Sequence, residues 1–137
     1  MALPAKSSLN MLRKNDKAVA AISNLSDKIT KNKDEFERLV NDMECYKEFA
    51  YSFKYKVLGA QQVLNYKWSK DVEYLKKAVP LLEKSNEYYK KLAERTKDTY
   101  LYANSMQTSQ RRIPVGGDGG KFKTWEEMIP VYEDELN

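Results

Sequence analysis

Apolar residues recur at three- and four-residue steps along most of this chain, which is the spacing of amphipathic helices. Leu9, Leu12, Val19, Ile22, Leu25 and Ile29 form a first stripe, predicting a helix from about Ser8 to Thr30 with Ser7 or Ser8 as its cap. A second stripe runs through Phe36, Leu39, Val40, Met43, Tyr46, Phe49, Ala50, Phe53, Val57, Ala60 and Leu64. It predicts one long helix from about Lys33 to Trp68, opened by Asn32, with Asp34 and Glu35 in its first turn. Tyr51, Tyr55 and Leu58 lie on a second flank of that helix, so it is expected to be touched on two sides. Gly59 is its weak point, and also a place where a neighbouring helix can come close.

Ser69 is positioned to cap a third helix starting at Lys70 or Asp71, with Val72, Leu75, Ala78, Val79, Leu82, Tyr89 and Leu92 inward and an end near Thr96 to Thr99. Pro80 falls inside it, where a missing amide and a ring clash one turn back predict a kink. A final short helix is expected from Thr124, because Thr124 and Glu127 have the spacing of a capping box. Trp125, Ile129, Tyr132 and Leu136 form its apolar face, which Pro130 would disturb. The expected fold is therefore all-α: one domain over residues 1–137, an up-and-down bundle of three main helices plus a short C-terminal helix. The last helix breaks off one residue after Leu136 with no stop signal, which predicts a piece of a larger protein.

Residues 100–124 break the pattern. They read as a long irregular loop holding four of the five glycines, and a loop of that length in a small bundle is usually functional or disordered. The cluster Gly116-Gly117-Asp118-Gly119-Gly120-Lys121 does not make a phosphate loop. Three residues rather than four separate Gly116 from Gly120, and Phe122 stands where Ser or Thr belongs. A calcium loop fails as well, since Asp118 is the sole carboxylate between Thr99 and Glu126. Asn104, Gln107, Gln110, Arg111, Arg112 and Trp125 form a better candidate set. Planar amides and guanidinium groups suit sugar hydroxyls and carboxylates, and an indole face suits the apolar face of a sugar ring. The competing reading has these residues tying the loop to the bundle, with Trp125 as the first core residue of the last helix.

Composition narrows the chemistry. The chain has no histidine, which removes the commonest general acid/base and metal ligand, and one cysteine, Cys45, which allows neither a disulfide nor a cysteine-based zinc site. No catalytic residue, metal or cofactor is predicted. The 24 basic and 20 acidic residues leave a net charge of +4, a mixed surface unlike a nucleic-acid footprint. No apolar run approaches the roughly 18 residues of a membrane span. Tyr46, Tyr51, Tyr55, Tyr66, Tyr74, Tyr88 and Tyr89, at helical spacing, read as core and half-buried packing. Asp34, Glu35, Glu37, Asp42 and Glu44 read as a solvated charged face.

Asn41-Asp42-Met43-Glu44-Cys45-Tyr46 resembles a segment of large Bacteroidetes glycan-utilisation proteins, as do Tyr100 to Thr108 and Gln110-Arg111-Arg112-Ile113-Pro114. The resemblance runs from about Asp34 onward. It implies a helical accessory module beside a glycoside-hydrolase-like or carbohydrate-binding portion, in a periplasmic or cell-surface parent. It carries no catalytic signature. The reading that follows is a non-catalytic module whose loop contacts an oligosaccharide or a neighbouring catalytic domain of the parent protein. The alternative is a structural or protein-interaction bundle without a small-molecule ligand, meeting its partner through the aromatic flank of the long helix.

Overall fold

The protein's computed structural model describes residues 3–100, 104–108, 111–114 and 123–137, with side chains for Asn10, Leu12 to Tyr100 and Lys123 to Asn137. The body is helical. Helix α1 covers Leu3–Ser23, α2 Lys33–Ser69, α3 Glu73–Thr96 and α4 Ile129–Glu133, with single 3-10 turns at Ser26–Lys28, Glu126–Met128 and Asp134–Leu136. Helix α1 starts and stops earlier than its apolar stripe predicts, and Ser7 and Ser8 lie inside it rather than capping it. The bounds of α2 match the expectation to within one residue.

The turn between α2 and α3 is built by polar side chains. Lys70 takes the left-handed conformation, φ 60°, and its amide donates to the Tyr66 carbonyl, closing α2. Ser69 Oγ then accepts from the Asp71 amide, and Asp71 Oδ1 from the Glu73 amide. Ser69 therefore serves the turn, and Asp71 satisfies the first amide of α3, which begins later than expected. Helix α3 continues through Pro80.

Helices α2 and α3 pack antiparallel along a row of small residues. Cys45, Ser52 and Gly59, seven residues apart on α2, meet Leu92, Ser85 and Ala78, seven apart on α3. The two serines are buried at mid-seam, where Ser85 Oγ donates to the Ser52 carbonyl at 2.7 Å and lies 3.3 Å from Ser52 Oγ. A Cβ on Gly59 would stand 2.7 Å from Leu82 Cδ2 and 3.6 Å from the Ala78 carbonyl oxygen, so glycine there leaves room for the Leu82 side chain in the seam. The broad apolar stripe of α2 is thus not its contact with α3. Leu39, Tyr46, Phe49, Phe53, Val57 and Leu64 remain exposed. Tyr51 and Tyr55, the expected second flank, instead stack on Tyr88 of α3 at 4.9 and 5.7 Å.

The C-terminal segment closes the core. Met128, buried to 1% exposure, packs with Cys45, Tyr89 and Leu92, flanked by Trp125, Ile129 and Tyr132. The capping box forms: Thr124 Oγ1 accepts from the Glu127 amide at 3.2 Å, and Glu127 Oε2 accepts from the Thr124 amide at 2.7 Å. The helix it opens is fragmented into a 3-10 turn, α4 and a second 3-10 turn, with Pro130 in the first turn of α4. Thr124→Ala is expected to cost about 1 kcal/mol in urea unfolding, and Glu127→Gln, which keeps an acceptor, much less.

Candidate functional site

The candidate site lies where α3 ends and the C-terminal segment begins. Arg95, near the end of α3, reaches across to α2. Its guanidinium is 3.8 Å from Glu44 Oε2 and 3.9 Å from Glu48 Oε1, and Glu48 is buried, its Oε2 without a hydrogen-bond partner among the described residues. Asn41 Nδ2 donates to the Arg95 carbonyl at 3.4 Å. Four residues beyond Thr96, the Tyr100 hydroxyl donates to Asp42 Oδ1 at 2.5 Å. Asp42 and Glu44, expected on a solvated face, are instead partners of groups at the loop root, because α3 delivers Arg95 and Tyr100 to that side of α2.

Tyr100 and Trp125 share a small cleft of about 150 Å³ with Ala93, Thr96, Lys97, Thr124 and Glu126. The two ends of the non-helical segment therefore stand side by side. The cleft is smaller than the roughly 300–1,000 Å³ of a small-molecule pocket. Trp125 is half-buried, edge-on to Phe49 and tilted against Tyr89, each at 6.3 Å, and its carbonyl accepts from the Tyr89 hydroxyl at 3.1 Å. Its indole Nε1 is buried without a partner among the described residues. Trp125 thus packs on the core while its backbone anchors the return of the loop.

Within the segment read as irregular, Asn104–Thr108 (β1) and Arg111–Pro114 (β2) pair as an antiparallel hairpin. Asn104 is opposite Pro114, Met106 opposite Arg112 and Thr108 opposite Arg111, and the register shifts between Met106 and Thr108, around Gln107. The hairpin therefore places Asn104, Gln107, Arg111 and Arg112 on two adjacent strands. Gln110 and the glycine cluster Gly116 to Gly120 lie outside the described residues. The hairpin escaped prediction because Ser109-Gln110, which separates the strands in sequence, lacks the Asn-Gly or Asp-Gly signature of a tight turn. Arg95 and Glu48 escaped because, in sequence, they are ordinary helical charges.

Two tyrosines give the surface an alkaline signature. The bond to Asp42, and secondarily burial, raises the Tyr100 pKa to about 12, and the bond from Tyr51 to Asp16, at 2.8 Å, does the same for Tyr51. Unfolded tyrosines ionise near pH 10, so the folded chain holds these protons more tightly. Their contribution is complete below pH 10 and is lost as pH rises toward 12. Urea midpoints are expected to fall across that window, and less steeply in the Tyr51→Phe/Tyr100→Phe variant. The Cys45 thiol is also pushed up, mainly by burial and against the pull of Arg95, which makes it a poor nucleophile. Among the described residues no cluster of three or more metal-ligating side chains occurs, and no helix is long and apolar enough to cross a membrane.

No protein-family model and no curated protein matches the chain. A solved structure does. The chain is similar to part of a GH138 enzyme targeting pectin rhamnogalacturonan II, with 56% identity and a TM-score of 0.85. The likeness covers 97% of this chain and 16% of that enzyme. The likeness links the chain to a glycan-processing protein.

Proposed function

We propose that this chain is a non-catalytic accessory module of a glycan-processing protein. Its helices form an up-and-down scaffold, and the hairpin segment contacts either a saccharide or the neighbouring catalytic domain of the parent. The observation that carries this reading is the 56% identity over 97% of the chain to a segment making up 16% of a GH138 enzyme. The chemistry agrees with it. Asn104, Gln107, Gln110, Arg111 and Arg112 supply amide and guanidinium donors suited to sugar hydroxyls and carboxylates, and Trp125 supplies the rigid edge.

The test is an amide NMR titration of residues 1–137 with fragments of rhamnogalacturonan II and with neutral oligosaccharides. Shifts confined to residues 104–125, abolished in Arg111→Ala/Arg112→Ala with the bundle intact, are the expected result for saccharide contact. Unchanged binding in that variant would remove the two arginines from the site. Hydrolysis of any glycan by the isolated chain would overturn the non-catalytic assignment. A dispersed spectrum that ignores every sugar leaves docking to the catalytic domain as the module's role. The exposed stripe on α2 favours a second reading, a protein-interaction bundle.

A further inference from the structure

Leu39, Tyr46, Phe53, Val57, Leu64 and Trp68 are all exposed, and they fall on one narrow face of α2. Their spacings of seven, seven, four, seven and four residues keep them in line at 3.6 residues per turn. Trp68 is 83% exposed, Tyr46 67% and Phe53 52%. The line is about 45 Å long at 1.5 Å per residue. It runs past a groove lined by Met43, Ala50 and Phe49, with Asn15 of α1 beside it. Farther along, Ala60, Val63 and Leu64 line a second apolar depression, edged by Lys56, Lys67 and Glu135. Scattered apolar side chains on a surface need no explanation, but an unbroken stripe of this length marks an interaction surface.

We infer that this stripe is where the module docks onto the rest of its own polypeptide. The occupant is an apolar surface of a neighbouring domain in the same chain. Two observations select it. The segment matched by this chain is 16% of a larger enzyme, so in that protein the same fold is joined to a much longer polypeptide. The packing of this chain also leaves the stripe residues exposed: α3 is held by the small-residue row, the C-terminal segment by Tyr89 and Met128, and α1 meets α2 beside the stripe, where Asn15 shares a groove with Tyr46 and Phe53. The large apolar residues that a lone bundle would turn inward are held outward along α2. The inference rests on the accessory-module reading and assigns that module's docking face.

The test is hydroxyl-radical footprinting of the complete natural polypeptide and of residues 1–137 alone, with Tyr74 on α3 as an internal reference. Labelling of Tyr46, Phe53 and Trp68 is expected to be several-fold lower in the complete polypeptide, while residues 1–137 alone are monomeric by sedimentation. Phe53→Asp/Leu64→Asp, at exposed positions, should restore labelling of Trp68 in the complete polypeptide without loss of helical circular dichroism. Equal labelling of the three residues in both forms would overturn the inference. So would a dimer of residues 1–137 that shields them. Protection confined to Tyr100 and Trp125 would overturn the stripe yet keep the accessory-module reading, whereas glycan hydrolysis by residues 1–137 would overturn that reading itself.

Discussion

Replacing Gly59 with leucine is expected to cost about 3 kcal/mol of folding stability, with a fall in urea midpoint and loss of the close α2–α3 contact. A Cβ alone would meet Leu82 Cδ2 at 2.7 Å and Leu82 Cγ at 2.9 Å, with the Ala78 carbonyl oxygen at 3.6 Å. Over-packing a tight interior costs typically about 1–3 kcal/mol, and here the inserted atoms meet the Leu82 side chain first, with the Ala78 carbonyl behind it. Gly59→Ala separates the two terms. Alanine gains about 1 kcal/mol of helix propensity, and its methyl demands only a shift of the Leu82 side chain. The net change should stay within about 1 kcal/mol. A leucine variant as stable as the parent would mean that the small-residue row is not the seam.

That seam shows what could be read in the sequence and what could not. The limits of α2 were legible, since Asp34 and Glu35 mark its first turn and the apolar period holds to Trp68, although Asn32, read as its cap, takes the left-handed conformation and makes no side-chain cap bond. The capping box at Thr124 and Glu127 was legible too, because it depends only on local spacing. The facing of α2 was not. Reading large apolar residues as inward assumes that a helix buries its greatest side-chain volume against its neighbour. Cys45, Ser52 and Gly59 instead meet α3 by bringing the backbones together, and a heptad of small residues carries little weight in a hydrophobic pattern. Glycine at 59 hinted at close approach, but Ser52 and Ser85 gave no sign of it until their hydroxyls were seen paired in the seam.

At the candidate site the division is similar. Trp125 was recognisable as a first core residue of the C-terminal segment, and it packs against Phe49 and Tyr89. The pairings of Tyr100 with Asp42 and of Arg95 with Glu44 and Glu48 join residues far apart in sequence, and no local spacing predicts them. The strands at Asn104–Thr108 and Arg111–Pro114 alternate too weakly to stand out, with polar residues at most positions.

Tyr89→Ala should detach the C-terminal segment before it unfolds the rest. Tyr89 is 3% exposed and joins three elements. Its ring is edge-on to Tyr132 at 4.4 Å and tilted against Trp125 at 6.3 Å, and its hydroxyl holds the Trp125 carbonyl. Truncating a buried aromatic costs about 3–5 kcal/mol. Met128 keeps the segment's other apolar tie, against Cys45 and Leu92, and its polar ties are weaker: exposed pairs from Lys56 to Glu135 and from Lys90 to Glu133, and one bond from Asn86 to the Tyr132 carbonyl. The lost energy therefore falls mainly on residues 123–137. Their amides should exchange rapidly in the variant, while those around Ser52 and Ser85, held by the α2–α3 seam, stay protected. Tyr89→Phe keeps the ring and loses one neutral hydrogen bond, so it should cost only about 1 kcal/mol and leave the exchange pattern intact. Uniform loss of protection in Tyr89→Ala would show instead that the C-terminal segment and the α2–α3 pair fold as one cooperative unit, with Met128 and Tyr89 as a core common to both.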